Sequence, residues 1–228
     1  MADNFASKEI VQKVLNRFQN LLTVQRIWAL EWQEIADYVL PRKNDILVQR
    51  VPGSKRTRRL YDSSAIHDSE LLAASMHGTL TSAYMKWFHL EVDDANVQDN
   101  QQVRGWLDDT TTTMYNELNR SNFNSEAHEL YIDLVDFATG CLFEDDDFGD
   151  KTSASGGLQF KTVQIGKYVV GESHTGKVDT IFRSIIMSNA AVLEKWPDTT
   201  PEVIKTSEKP DTLQEIIHGV YPDTSAKG

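Results

Sequence analysis

Apolar positions along the first forty residues recur at helical spacing. Val11, Leu15, Phe18 and Leu22 step by four, three and four, which puts them on one face of a helix. Trp28, Trp32, Ile35 and Val39 repeat those steps. The pattern predicts helix from about Ser7 to Val39, with a bend or a junction of two helices near Thr23, between the stripes. Leu40-Pro41 ends the run, because proline disfavours helix in the residue before it. Asp62 is placed to cap a second helix over roughly 63–84, with Ile66, Ala73, Met76 and Leu80 on its core face. A third, over about 97–120, carries Val103, Leu107, Met114 and Leu118. Asn124 can cap a fourth whose core face is Ala127, Leu130, Leu134 and Phe137. Gly140 sits where a helix C-terminus favours a left-handed residue.

The period then changes. Residues 141–157 read as an acidic, then Gly/Ser-rich loop. Leu158, Phe160 and Thr162 alternate with polar neighbours, as in a half-buried strand. Tyr168-Val169-Val170 and Val178–Ile186 are rich in β-branched and aromatic residues, and His174-Thr175-Gly176 between them reads as a hairpin turn. Ser188 can cap a short helix to Trp196, stopped by Pro197. Thr200-Pro201 marks another helix start. Residues 212–221 fit helix or strand. The predicted fold class is α+β: N-terminal helices followed by an antiparallel sheet with short helices. The expected division is a mainly helical region 1–140, the loop 141–157, a β-rich region 158–222 and a polar tail 223–228, read as a linker or a truncation point.

Composition is that of a folded protein, with 40% hydrophobic and 25% charged residues. No apolar run approaches the ~18–20 residues that span a bilayer, and the N-terminus has no secretory signal pattern. The single cysteine, Cys141, excludes an intrachain disulfide and fits a reducing cytoplasm. The net charge of −11 argues against wrapping of DNA, which needs concentrated Lys and Arg. Charge is unevenly placed, however. Arg42–Arg59 holds seven basic residues against one acid, and Glu144–Asp150 holds five acids and no base. Arg42, Lys43, Lys55, Arg56, Arg58 and Arg59 are therefore candidates for contact with DNA or with a neighbouring subunit. The bland alternative is a solvated loop.

Signals for chemistry fail on residue type. Gly171-Glu172-Ser173-His174-Thr175-Gly176-Lys177-Val178 approaches a phosphate-binding loop, but Val178 cannot offer the hydroxyl that holds Mg²⁺, and strand-like sequence follows where a helix must open. The same segment misses a nucleophile elbow around Ser173, because the second glycine falls one residue late. The six histidines form no ligand pair at metal spacing. Glu144-Asp145-Asp146-Asp147 lacks the alternating ligands of a calcium loop. The residues predict no catalytic site, no metal and no cofactor.

A more specific signal lies in the order of short motifs. Trp28, Trp32, Ile35, Tyr38 and Leu40-Pro41 come first, then Tyr61-Asp62-Ser63-Ser64-Ala65, Leu80-Thr81-Ser82 and Trp87-Phe88. Trp106-Leu107, Ser121-Asn122-Phe123, Asp133-Leu134, Phe137 and Thr139-Gly140 follow. Gly166, Glu172, Gly176, Val178-Asp179, Arg183 and His218 through Val220-Tyr221-Pro222 close the series. This succession resembles the head-to-tail connecting, or portal, proteins of short-tailed bacteriophages. The resemblance implies a structural virion protein with a wing-like fold, a subunit of a ring, usually a dodecamer, at one capsid vertex. It implies contacts with other portal subunits, with major capsid or scaffolding protein, with terminase and with tail adaptor proteins. Double-stranded DNA passes such a ring during packaging and ejection, no membrane is involved, and assembly takes place in the host cytoplasm. Family members are normally much longer and carry a channel-lining stem and a clip, so the resemblance places this chain in the first part of the wing. Two other readings are a phage scaffolding or adaptor protein without a DNA channel, and a nucleotide-binding protein using Gly171–Val178.

Overall fold

The computed structural model describes residues 2–48, 53–93, 100–146, 157–205, 207 and 209–222. Its elements are α1 (Ala2–Tyr38), a 3₁₀ turn (Pro41–Lys43), α2 (Ser64–Leu80), α3 (Gln101–Arg120) and α4 (Phe123–Phe137). Then come β1 (Cys141–Asp146), β2 (Leu158–Val163), β3 (Tyr168–Glu172), β4 (Val178–Ser188), α5 (Asn189–Lys195), α6 (Glu202–Lys205) and β5 (Leu213–Val220). The fold is α+β. The chain forms two compact units, one of Met1–Leu30 with Gly166–Gly228, the other of Glu31–Ile165.

The first unit is an antiparallel sheet in the order β3-β4-β5 with α1 packed on one face. Its core is Phe18, Val169 and Phe182, flanked by Val14, Leu21, Leu22 and Ile217. Val169 and Phe182 are cross-strand partners, and Phe18 meets Phe182 edge to face at 5.9 Å between ring centroids. Phe182 lies opposite Gly219 on β5. A Cβ at Gly219 would come within 2.4 Å of the Phe182 ring, so glycine makes room for the largest of the fully buried side chains. Arg17 donates to Thr180 Oγ1 and Gln25 to the Tyr168 carbonyl, both at 2.7 Å, fastening the helix to the sheet.

Helix α1 runs unbroken through the predicted junction. Thr23 lies within the helix, its hydroxyl donating to the Gln19 carbonyl at 2.9 Å. The buried face is also rotated: Val14 and Leu21 pack, while Val11 and Trp28 are exposed. The β3–β4 turn closes as expected, with Gly176 at φ 75°. Ser188 accepts from the Ala191 N–H and starts α5. The ambiguous 212–221 stretch is strand, because β4 is long enough to pair Ile181–Ser188 with Leu213–Val220.

In the second unit α4 is the centre and touches α2, α3, β1 and β2. Helix α2 buries Ser69 and Ala73, leaving Leu80 half exposed. It ends four residues earlier than predicted. Asp62 starts it by accepting from the Ser64 N–H at 3.0 Å, from one residue outside the cap position. Helix α3 begins at Gln101, capped by Asn100; part of the predicted start lies outside the described residues. Its inner face is Leu107, Thr111 and Tyr115, and Met114 points to solvent. The cause is the extended segment around Trp87-Phe88. Tyr115 hydroxyl bonds the Phe88 backbone and stacks on its ring at 4.3 Å, while Thr111 accepts from the Leu90 N–H.

Three expectations need correction here. Helix α4 starts at Phe123 rather than after Asn124, with Ser121 Oγ accepting the Phe123 N–H at 3.1 Å. The left-handed residue that ends it is Ala138, φ 57°; Gly140 is instead a site of close approach, where a Cβ would fall 2.5 Å from Leu130 Cδ1. Residues 141–146, expected as loop, form β1 and pair with all of β2. Cys141-Leu142-Phe143 has strong strand character, and the acids Glu144 and Asp145 are carried along opposite Phe160 and Gln159. Asp147–Asp150 lie outside the described residues.

Candidate functional site

The basic segment begins where Leu40, buried, and Pro41 end α1. The tight 3₁₀ turn aims the next two side chains at α4. Lys43 Nζ lies 2.5 Å from Asp133 and 3.1 Å from Glu129. Arg42 bonds Glu129 at 2.7 Å and approaches Glu70 of α2 at 4.0 Å. The Lys43 side chain is 12% exposed and that of Asp133 only 1%. Gln164, just past β2, donates to the Lys43 carbonyl at 2.8 Å and to Asp45 at 2.7 Å.

Burial pushes the Asp133 carboxyl above its usual range, and Lys43 offsets this only in part. Glu129 is less deeply placed. Burial works against its charge too, but Arg42 and Lys43 outweigh it and hold Glu129 below the ordinary value. Asp136 is raised by burial although it accepts from Ser69 Oγ at 2.7 Å. Arg42 is held above its ordinary value: burial opposes its charge, and Glu129 and Glu70 prevail.

A second cluster organises the rest of the segment. Asn44 is fully buried and donates to Asp37 Oδ1 at 3.0 Å and to the Arg56 carbonyl at 3.2 Å. Gln33 donates to both Asp37 and the Asn44 carbonyl. Arg59 pairs with Asp37 Oδ2 at 3.2 Å, and Arg56 donates to the Arg42 carbonyl. Arg58 and Arg59 form the corner of a turn closed by Leu60 N–H to Thr57 C=O. Lys55, Arg56, Arg58 and Arg59 are exposed. Among the described residues, Lys55, Arg56 and Arg58 have no carboxylate partner.

The six candidate residues are thus split by the fold. Arg42 and Lys43 form a clamp on α4, Arg59 is tied to Asp37, and Lys55, Arg56 and Arg58 face solvent on a pinned backbone. Sequence reading missed the acceptors Asp37, Glu70, Glu129 and Asp133. Glu129 and Asp133 carried a legible signal: two acids four apart on a helix share a face.

The phosphate-loop-like segment is strand, turn, strand. Ser173 accepts from Gly176 N–H across the turn and bonds Thr175 Oγ1 at 2.7 Å. Val178 opens β4, so the helix N-terminus that would cradle phosphate is replaced by a strand. Among the described residues no group of three or more His, Cys, Asp and Glu side chains could hold a metal ion. No helix is long and apolar enough to cross a membrane among those residues.

The residues of the ordered motifs act as fasteners. Trp87, Phe88, Tyr115, Phe123 and Phe160 form one chain of stacked and edge-to-face rings. Asn122 holds both backbone groups of Phe160, at 2.7 and 2.8 Å. Arg183 donates to His218 Nδ1 at 3.1 Å across β4 and β5. These features define a structural α+β scaffold. The chain belongs to the bacteriophage head to tail connecting protein family, which matches residues 11–228. It is similar to a probable portal protein of Bordetella phage BPP-1, 26% identical over 214 residues, covering 92% of this chain and 38% of that protein. It is also similar to the portal protein of Salmonella phage epsilon15, 23% identical over 219 residues, covering 94% of this chain and 38% of that protein. The chain therefore spans well under half the length of these relatives.

Proposed function

We propose that this chain forms the wing portion of a portal ring at the capsid vertex, the passage for double-stranded DNA in packaging and ejection. The observation that carries the reading is the family match over residues 11–228. The relatives' own names, portal protein and probable portal protein, support it. In this role the scaffold acts by presenting surfaces to other subunits, to capsid or scaffolding protein, to terminase and to tail adaptors. It needs no cofactor and performs no catalysis. A closed ring requires two different complementary faces on each subunit.

The protein carrying this chain, purified and weighed by native mass spectrometry, is expected to form a closed oligomer, a dodecamer by family precedent. Electron microscopy of the same sample should give ring views with a central opening. A protein that stays monomeric at micromolar concentration in both measurements would refute the reading.

A further inference from the structure

We infer that Lys55, Arg56 and Arg58 are the basic half of a contact between two copies of this chain, seating on acidic surface of the neighbouring copy. The inference rests on the ring reading above and names one of the surfaces it uses.

Neutralisation carries the first step. The sequence offers seven cations between Arg42 and Arg59. Of these, Arg50 lies outside the described residues; in the fold Arg42 and Lys43 are paired with Glu129, Asp133 and Glu70, and Arg59 with Asp37. Lys55, Arg56 and Arg58 are left with exposed charge and, among the described residues, no carboxylate.

Preorganisation carries the second. The backbone beneath these side chains is held by a fully buried asparagine, Asn44, which bonds the Arg56 carbonyl and Asp37. The Arg56 guanidinium returns to the Arg42 carbonyl, and the Thr57–Leu60 turn sets Arg58 at its corner. A loop fixed this way loses little entropy when its charges are captured.

Charge complementarity selects the occupant. The chain carries −11 overall, so another copy of it is a predominantly acidic object. Copies brought side by side repel through this net charge, and positive charge concentrated at the contact relieves the repulsion. Free double-stranded DNA is the weaker candidate. Three cations amid a strongly acidic chain make few phosphate contacts, and non-specific affinity scales with their number.

Zero-length carbodiimide coupling tests this on the assembled protein. Rings are formed from an equal mixture of ¹⁴N- and ¹⁵N-labelled protein, coupled, digested and read by mass spectrometry. The expected product joins the Lys55 peptide of one isotope to an acidic peptide of the other. Assembled rings in which Lys55 stays uncoupled, or couples only within one isotope, overturn the proposal and leave the ring reading standing. Lys55 masked by added double-stranded DNA but not by assembly also overturns it, in favour of nucleic acid. In parallel, Lys55→Glu/Arg58→Glu leaves Asn44, Arg56 and Asp37 untouched, so the fold is retained. It should weaken assembly about ten-fold or more at low salt, since two exposed attractions become repulsions. The gap should narrow at high salt. Unchanged assembly would overturn the proposal. A wild-type protein that never assembles defeats the ring reading, and this proposal with it.

Discussion

Replacing Lys43 by Met removes the ammonium that sits 2.5 Å from Asp133. The carboxylate it leaves is 1% exposed, and its second oxygen is buried without a hydrogen bond. Two limits bracket the cost. Breaking a buried ion pair from one side costs about 3–5 kcal/mol. Alternatively Asp133 takes a proton. From an ordinary value of about 3.9 to pH 7, at about 1.4 kcal/mol per unit, that costs about 4 kcal/mol. The wild-type protein already bears part of this, because burial has raised Asp133 despite Lys43. The expected loss is therefore near the lower limit, about 3 kcal/mol at pH 7. Adding Asp133→Leu removes the stranded charge and should return stability to within about 1 kcal/mol of wild type.

The sign with pH follows from linkage. An acid whose folded-state value is raised destabilises the fold above that value, and the penalty vanishes below its unfolded-state value. The deficit of the Lys43→Met variant should therefore shrink as pH falls from 7 towards 4. Glu129 acts in the same direction from the wild-type side. It is held below its ordinary value, so its stabilisation is present at neutral pH and is lost as acid protonates it. Urea titrations at pH 7 and pH 5 measure the gap, with amide exchange in α4 reporting the second unit by itself. A variant within about 1 kcal/mol of wild type at pH 7, or a gap that widens in acid, would refute the reasoning.

Gly219→Ala places a methyl 2.4 Å from the fully buried Phe182 ring and should cost about 3 kcal/mol, whereas Gly176→Ala meets open space at φ 75° and should cost about 1 kcal/mol. Thermal unfolding of the two variants checks the ranking, and equal losses would contradict it. Asn122→Ala strips both hydrogen bonds from the Phe160 backbone and should cost about 2 kcal/mol in urea titration, with faster exchange of β2 amides. His77 is held below its ordinary value by burial and by the charge of His128, so the unfolded chain takes its proton first and stability falls as pH drops below about 6.5. His77→Gln should flatten that fall between pH 7 and 5 in the same titration.

Where one side chain pattern met one partner, the sequence was a sufficient guide. The β3–β4 turn needed only Gly176, and α5 needed only Ser188 and Pro197. Errors arose where a third element intervened. Met114 has helical spacing suited to a core, but Tyr115 and Thr111 take the inner face because the Phe88 and Leu90 backbone lies there. Trp28 continues an apolar stripe, yet α1 presents Val14, Phe18, Leu21 and Leu22 to its sheet and leaves Trp28 exposed. Gly140 was legible as a glycine position but not for its reason, since a close approach by Leu130 has no local sequence mark. Strand β1 was hidden because its second half is acidic. Pairing with β2 decides its conformation, and pairing is not a property of either segment alone.

The basic segment shows the same limit in electrostatic form. A run of charge in sequence is a statement about neighbours along the chain, while a surface charge depends on neighbours in space. Glu129 and Asp133 lie some ninety residues from Arg42 and Lys43, and the fold joins them into a clamp between the end of α1 and the middle of α4. Two of six candidate contacts thereby become part of the scaffold, and Arg59 is drawn towards it by Asp37. The second cluster supplies the rigidity under the remaining three. Gln33, Asp37 and Asn44 bond one another and hold the Arg56 carbonyl, so the exposed cations stand on a buried polar network. Such a network favours one backbone path, because a slip breaks several buried hydrogen bonds at once. Loosening it by Asn44→Ala would therefore release Lys55 and Arg58 without removing their charge, which separates the placement of the cations from their presence.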